Sequence, residues 1–241
     1  MVGGRVRTDD VEGRRARADA VLGAAADLIG RWGYDKTTID DIARTAGIAK
    51  GTVYLHWKTK DEVFVAVLRR ERVLMLEAVR DSLLAESAPG PRAVFRHLAA
   101  GLIGRPLMRA VLLNELAVLG RLALRLRSGT TWRSSFTDFL DTLREHGAIG
   151  DDRDERGQLA LVNAAFIGVL TTASLMPEHP RLSADEQADL IADVVDRTLG
   201  LGAGVDPAAL SRATTAYFDA AHTVARRKLA EATGLADRGN A

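Results

Sequence analysis

The sequence predicts an all-α fold, with a small N-terminal unit of three helices at residues 1–58 and a larger helical domain at residues 59–241. Three observations support this class. Apolar residues recur along the chain at the three- and four-residue spacing of amphipathic helices. Glycine, proline and capping pairs stand at the ends of these stretches. No segment alternates polar and apolar residues as a half-buried strand would.

The first helix is predicted from Val11 to Trp32, after a basic, flexible arm at residues 1–10. Gly33 follows directly, and glycine accepts the left-handed conformation in which many helices end. The expected inner face of this helix consists of Val21, Leu22, Ala25, Leu28, Ile29 and Trp32.

Residues 37–68 read TTIDDIARTAGIAKGTVYLHWKTKDEVFVAVL and predict two short helices around a glycine turn. Thr38 and Asp41 have the spacing of a capping box, which would begin the first of these helices, and Gly47 would end it. The second, Lys50 to Trp57, is too short to be stable alone and needs an apolar face turned inward. This arrangement is a helix-turn-helix motif, which places side chains in the major groove of DNA.

The outward face of the second short helix carries groups suited to DNA. Lys50 supplies a cation at the helix start, and Gly51 lets the backbone approach closely. Thr52 can hydrogen-bond to a base or contact a thymine methyl group. Tyr54 and His56 can donate hydrogen bonds to phosphate oxygens.

The start of the next helix is also expected to attract anions. Thr59 and Glu62 have the spacing of a second capping box, and Lys60 opens the helix beside the free amides of its first turn. The segment from Lys50 to Lys60, both included, contains three lysines and no acidic residue. Residues 1–60 contain 11 Lys and Arg against 8 Asp and Glu, so positive charge is concentrated at the motif, as DNA binding requires.

The N-terminal arginines admit two interpretations. Arg5 and Arg7, with Arg14, Arg15 and Arg17 on the first helix, could reach the DNA minor groove or its phosphates. Alternatively, the first two belong to a solvated tail.

The order AGIAKGTVYLHWKTKDEVF resembles the TetR family of bacterial transcriptional regulators. The resemblance covers about residues 29–68, and the rest of the chain agrees in length and helical character. Ala49 departs from the family, which often has Ser or Thr there as the cap of the recognition helix, and an uncapped start costs about 1 kcal/mol. Carried over by position, the resemblance implies operator-DNA contacts by Thr38, Lys50, Gly51, Thr52, Tyr54, Leu55, His56 and Lys60.

Glycine, proline and capping residues divide the rest of the chain into further helices. The sequence Ser-Ala-Pro-Gly-Pro at residues 87–91 is a clear break, and Ser183 with Glu186 has the spacing of a third capping box. Residues 120–129 alternate arginine and leucine and are interpreted as a solvated charged face. The expected helices are Lys60–Ala85, Pro91–Gly104, Pro106–Leu119, Thr130–His146, Asp154–Leu175, Ala184–Leu199 and Pro207–Ala232.

In the resembled family the larger domain holds a small molecule among its middle helices. Asn114 and Asn163 are of particular interest, because a buried amide needs a hydrogen-bond partner. The mostly apolar set favours a hydrophobic or aromatic effector, although each side chain alone is also typical of an ordinary core. The ligand-binding candidates are Met75, Phe95, His97, Leu98, Leu102, Asn114, Leu116, Trp132, Phe136, Phe139, Asn163, Phe166 and Thr171.

The family also dimerises through its last two main helices, and two such pairs would form a four-helix interface. The alternative is that these residues close the core of one subunit. The helix after Asp206 either extends the interface or covers the domain. The dimer-interface candidates are Leu159, Val162, Val169, Leu170, Leu190, Ile191, Val194 and Val195.

Composition excludes several other classes of protein. The 241 residues carry a net charge of +1, so the whole molecule is not a polycation. Cysteine is absent, which excludes disulfides and thiolate metal sites, and the five histidines are widely separated. No apolar run approaches the ~20 residues that span a membrane, and the charged N-terminus does not resemble a signal peptide. The sequence predicts a cytoplasmic protein without membrane contact, metal or cofactor.

The sequence therefore predicts a ligand-responsive transcriptional regulator. The favoured form is a homodimeric repressor that binds a near-palindromic operator and is released by a small hydrophobic or aromatic effector. An activator or dual regulator is one alternative, and a small-molecule-binding protein with a vestigial DNA reader is another. An enzyme with catalytic residues is not expected, because nucleophile motifs, glycine-rich phosphate loops and metal clusters are absent from the sequence.

Overall fold

The structure is a computed structural model that describes residues 3–87, 89–120, 122, 133–150, 153–175, 182–202 and 204–235. These residues form eleven α-helices and no strand, which confirms the predicted all-α class. The helices are α1 (Gly3–Trp32), α2 (Ile39–Thr45), α3 (Lys50–His56), α4 (Lys60–Leu84), α5 (Pro91–Ile103), α6 (Pro106–Leu113), α7 (Leu116–Leu119), α8 (Arg133–Glu145), α9 (Glu155–Leu175), α10 (Ala184–Leu199) and α11 (Pro207–Thr233).

The flexible arm predicted at residues 1–10 is wrong from Gly3 onward. Helix α1 begins at Gly3, eight residues before the predicted start at Val11. No proline separates these residues from the amphipathic part of the helix, so nothing in the local sequence interrupts the backbone hydrogen bonds.

The single helix predicted from Pro106 to Leu119 is also wrong. Two helices, α6 and α7, occupy this stretch, and Asn114 lies between them with a φ of 52°. A left-handed residue cannot continue a right-handed helix, and asparagine tolerates this conformation better than most residues. The arginine-rich segment that follows lies outside the described residues, apart from Gly120 and Leu122.

Two of the three predicted capping boxes are confirmed. Thr38 accepts a hydrogen bond from the Asp41 backbone, and the Asp41 carboxylate accepts one from the Thr38 backbone. Ser183 and Glu186 make the same reciprocal pair at the start of α10. In each case the side chains satisfy two of the amide donors that an α-helix leaves unpaired at its start.

The described residues divide into two compact units. The first draws on Met1–Val73, Asn114–Leu126 and Thr223–Ala241, and the second on Leu74–Leu113 and Arg127–His222. The first unit therefore combines three separate stretches of the chain. The domain boundary predicted after residue 58 stays a prediction.

The core of the first unit forms where α1 packs against α2 and α3. Leu22, Ile42 and Val53 have no exposed surface. The prediction that Trp32 belongs to the inner face of α1 is wrong, because its side chain is 46% exposed. The turn after α1 is held by α7, because the backbone N–H of Tyr34 donates to the Val118 carbonyl at 2.8 Å. This packing stabilises helices of seven residues that would be marginal alone.

The second unit has its own core. Helix α10 packs against α5 and α9, and aromatic rings of α5, α8 and α11 meet. The Phe139 ring lies 5.7 Å from that of Phe95 and 5.6 Å from that of Phe218, measured between centroids. All three side chains are buried, and such rings contribute large apolar areas to a core.

Candidate nucleic-acid interface

The α2–turn–α3 segment has the geometry of a helix-turn-helix. Gly47 lies in the turn with a φ of 68°, and the Ile48 N–H donates to the Ala43 carbonyl at 3.0 Å. Ala49 makes no side-chain hydrogen bond at the start of α3. Helix α3 therefore depends on packing and on contacts at its other end, since its seven residues and open start supply little stability of their own.

Packing fixes which face of α3 is exposed. Val53 is fully buried and Trp57, directly after the helix, is 2% exposed, as the sequence predicted. On the opposite face Tyr54 is 46% exposed and Leu55 84% exposed. The predicted DNA contacts fall into two groups: Thr38, Lys50, Gly51, Tyr54 and Leu55 are exposed, and Thr52, His56 and Lys60 are half-buried.

The cation at the start of α3 is paired with a carboxylate that sequence reasoning missed. The Lys50 ammonium lies 2.9 Å from the Asp40 carboxylate on α2. The hydrogen bond to Asp40 raises the pKa of Lys50 above its ordinary value. The neighbouring residue on α2, Asp41, accepts a hydrogen bond from the side chain of Thr38, and this bond lowers the pKa of Asp41. Asp40 is ten residues before Lys50, so only the turn between the helices brings them together.

Replacing Asp40 by Asn is expected to strengthen DNA binding. The change frees the Lys50 ammonium from its carboxylate partner, and an exposed pair of this kind corresponds to roughly a two- to fivefold gain in affinity. If the freed ammonium reaches a phosphate, the salt dependence steepens by a slope of up to about 0.9. Titrations of operator and scrambled duplexes at several salt concentrations measure both effects.

Asp27→Asn is the matched control, because it removes the same charge from an exposed position on α1. An equal gain in both variants would mean that only the net charge matters, and would contradict a specific role for the Asp40–Lys50 pair.

His56 has a partner at the far end of the chain. Its Nδ1 lies 3.3 Å from the Thr233 carbonyl. A carbonyl only accepts hydrogen bonds, so Nδ1 must carry the proton in this contact. The donation by His56 to a phosphate oxygen that the sequence predicted is therefore not available from Nδ1 while this contact is kept.

Lys60 is held by the turn between α1 and α2. Its ammonium donates to the carbonyls of Tyr34 at 2.8 Å and Thr37 at 3.0 Å, and lies 4.1 Å from the centre of the Tyr34 ring. The next residue, Asp61, accepts a hydrogen bond from the Tyr34 hydroxyl. The start of α4 therefore stabilises this turn, a role that the sequence did not reveal.

The capping box predicted before α4 differs from the usual pattern. The Thr59 hydroxyl accepts from the Glu62 N–H at 3.2 Å, as expected, but the Glu62 carboxylate accepts from the Lys58 N–H at 2.7 Å instead of from Thr59. Glu62 thus orders the link between α3 and α4.

Nine of the predicted ligand-binding residues have described side chains in the second unit. Six of these are buried apolar residues, and the three polar ones already have partners within this unit. His97 Nε2 lies 2.6 Å from the Glu86 carboxylate, and Asn163 donates to the Leu159 carbonyl at 2.9 Å. Thr171 donates to the carbonyl of Ile167 within α9. The buried six are Met75, Phe95, Leu98, Leu102, Phe139 and Phe166.

The remaining four candidates are not among these nine residues. Asn114 and Leu116 belong to the first unit and are exposed, so the expectation of a buried amide at Asn114 is wrong. Its left-handed conformation in the break between α6 and α7 accounts for its exposure. Trp132 and the side chain of Phe136 lie outside the described residues.

The candidates for a dimer interface divide by burial. Leu190 and Val194 are exposed and lie one turn apart on α10, which places them on one face. Leu159 and Val169 are half-buried. Those in the core of the second unit are Val162, Leu170, Ile191 and Val195.

Residues 21–67, which contain α2, α3 and parts of α1 and α4, match the family described as bacterial regulatory proteins, tetR family. The helix-turn-helix segment of the chain therefore belongs to this family. The family comprises regulatory proteins and not enzymes. The matched segment includes the whole of the sequence AGIAKGTVYLHWKTKDEVF, residues 46–64.

Individual tetR-family regulators are similar over part or most of the chain. QacR of Staphylococcus aureus is 38% identical over 53 residues, 22% of this chain and 28% of that protein. A TetR-family regulator from Rhodococcus sp. has the same fold with a TM-score of 0.60, at 22% identity over 77% of this chain and 99% of that one. The structure of FadR from Bacillus subtilis in complex with stearoyl-CoA matches with a TM-score of 0.55 and 18% sequence identity. The match covers 78% of this chain and 98% of that one. The chain spans 28% to 37% of the length of the first curated relatives it matches.

The described part of the chain has neither a membrane-spanning helix nor a metal-binding cluster. None of the helices there has the length and apolar character needed to cross a bilayer. The same residues contain no cluster of three His, Cys, Asp or Glu side chains that could hold a metal ion.

Proposed function

We propose that the protein is a transcriptional regulator that binds operator DNA through α3. The observation that carries this proposal is the division of α3 into a buried face with Val53 and an exposed face with Lys50, Tyr54 and Leu55. A short helix whose cation, hydroxyl and apolar groups face solvent after a glycine turn suits the major groove. Membership of a family of regulators supports the same conclusion.

The protein would act as a homodimer on a near-palindromic operator. One recognition helix reads only a few base pairs, so two half-sites about one helical turn or a multiple apart are expected. The exposed Leu190 and Val194 on α10 support an apolar contact with a second subunit. The role of the buried dimer candidates in such a contact stays a prediction.

The second unit would bind a small hydrophobic or aromatic effector. The buried apolar candidates around Phe95 and Phe139 support this class, and the related fold of FadR accommodates stearoyl-CoA in that protein. The favoured outcome is release from DNA, which requires that the effector prefers the conformation that does not bind the operator.

Alternative functions remain as predictions. An activator or dual regulator would use the same DNA contacts, and a reporter assay after gene deletion distinguishes the sign of regulation. A small-molecule-binding protein with a vestigial reader is favoured only by the uncapped start of α3 at Ala49. A cytoplasmic location and the absence of catalysis follow from the proposed function.

Fluorescence anisotropy on DNA from upstream of the protein's own gene tests the proposal. Saturable binding that exceeds binding to a scrambled duplex supports a regulator. Equal, steeply salt-sensitive binding to both duplexes indicates backbone attraction alone. Failure to bind either duplex, with no compound found by mass spectrometry of the extracted protein, would contradict the proposal.

Tyr54→Phe and Lys60→Ala are both expected to weaken operator binding, with different salt dependence. Loss of the Tyr54 hydroxyl removes a neutral donor and leaves the salt slope unchanged. If Lys60 contacts a phosphate, its loss flattens the slope by about 1. If the carbonyls of the α1–α2 turn occupy its ammonium in the complex as well, the slope stays constant and thermal stability falls instead. Parent-like binding by both variants would show that the contact assignment is wrong.

A further inference from the structure

The last turn of α11 contacts the end of the candidate recognition helix. The Trp57 indole Nε1–H donates to the Ala232 carbonyl at 2.8 Å, and His56 Nδ1 approaches the Thr233 carbonyl at 3.3 Å. Arg69 on α4 donates to the Lys228 carbonyl at 2.8 Å. These contacts join residues that are 159 to 177 positions apart in the chain and belong to the same compact unit.

The hydrogen bonds at this helix end are fully accounted for. An α-helix leaves its last four carbonyls without partners in the helix. The chain caps two of them itself, because Leu235 N–H donates to Ala230 at 3.0 Å and Gly234 N–H to Glu231 at 3.3 Å, with a φ of 67° at Gly234. This is a Schellman motif. The two carbonyls that it leaves over are those of Ala232 and Thr233.

Side chains from the end of α3 bind those two carbonyls. Trp57 is also the residue that closes α3, since its backbone N–H donates to the Val53 carbonyl at 3.0 Å. One residue therefore ends α3 with its backbone and completes the cap of α11 with its indole. Because no side chain caps the start of α3, the contacts at its C-terminal end contribute much of what holds this helix in place.

We propose that the C-terminal turn of α11, residues 228–235, is a positioning element of the DNA-binding helix-turn-helix. This turn fixes the orientation of α3 through Trp57 and His56. The positioning role rests on the proposed function, in which α3 reads DNA. The contact itself does not depend on that function.

Two full-length variants test the proposal. Trp57→Phe keeps a buried aromatic ring and removes the indole donor. Gly234→Ala strains the Schellman motif at a positive φ where an added Cβ meets nothing within 4 Å, so it loosens the turn without a clash. Gly200→Ala is the matched control, because Gly200 also has a positive φ of 58°, meets nothing within 4 Å and ends α10 in the second unit.

The first readout is hydrogen exchange of the Trp57 indole in the free protein. Exchange is expected to be slow in the parent, about tenfold faster in Gly234→Ala and parent-like in Gly200→Ala. The exposed Trp32 indole is the internal reference for unprotected exchange. Rapid exchange of Trp57 in the parent, or equal acceleration in both glycine variants, would overturn the proposal.

The second readout is affinity for the operator. Trp57→Phe and Gly234→Ala are each expected to lower operator affinity about 5- to 10-fold. The double variant is expected to bind no more weakly than the weaker of the two single variants, because both changes disrupt the same contact. Parent-like operator binding by both single variants would overturn the positioning role while leaving the proposed function intact. If the parent itself fails to bind an operator, the proposed function fails, and the exchange comparison still decides whether the turn holds Trp57.

Discussion

Gly33→Ala is expected to destabilise the first unit by about 3 kcal/mol, the sum of a strained backbone and an overpacked contact. Gly33 ends α1 with a φ of 80°, and an added Cβ would lie 2.5 Å from the Ala117 carbonyl oxygen. That atom belongs to the backbone of α7, so the clash cannot be relieved by rotating a side chain. Because the adjacent Tyr34 N–H donates to Val118, a shift of α7 also disturbs that bond.

Thermal unfolding measures this effect, and a fall in Tm of roughly 10 °C is expected for a chain of this size. Gly47→Ala is the control, since Gly47 has a similar φ of 68° but nothing lies within 4 Å of an added Cβ. It should cost only the left-handed strain of about 1 kcal/mol. Equal losses in the two variants would show that the contact with α7 does not constrain this turn.

Leu55→Glu is expected to reduce operator affinity by about 10- to 100-fold without lowering stability. Leu55 is the most exposed large apolar side chain of the described residues, at 84%, so its replacement removes almost no packing. A carboxylate at the same place faces the phosphates of bound DNA, and like charges brought together across an interface cost several kcal/mol. Anisotropy titrations and a melting curve measure the two effects separately.

Leu84→Glu supplies the comparison, because Leu84 is 62% exposed on α4 in the second unit and has no proposed role in binding. It makes the same change in charge, so it reports the effect of net charge alone. A similar loss of affinity in both variants would contradict the assignment of α3 as the reading helix.

The sequence alone predicted the helix ends whose signals are local. The starts of α2 and α10 follow from Thr38 with Asp41 and from Ser183 with Glu186, because each capping box closes within four residues. The face of α3 was also predictable, since burying Val53 and Trp57 leaves Tyr54 and Leu55 outside. Amphipathic spacing and capping depend only on neighbours along the chain, so a single sequence contains them.

Other features were decided only by tertiary structure. The partners of Lys60, His56 and Trp57 lie 23 to 177 residues away, and no local pattern marks a backbone carbonyl as an acceptor for a distant side chain. The same holds for Asn114, whose left-handed conformation divides a stretch that reads as one helix. Sequence periodicity specifies which face of a helix is apolar. The packing of the whole chain determines which polar groups meet, because each buried donor and acceptor needs a partner, and that partner can lie anywhere in the sequence.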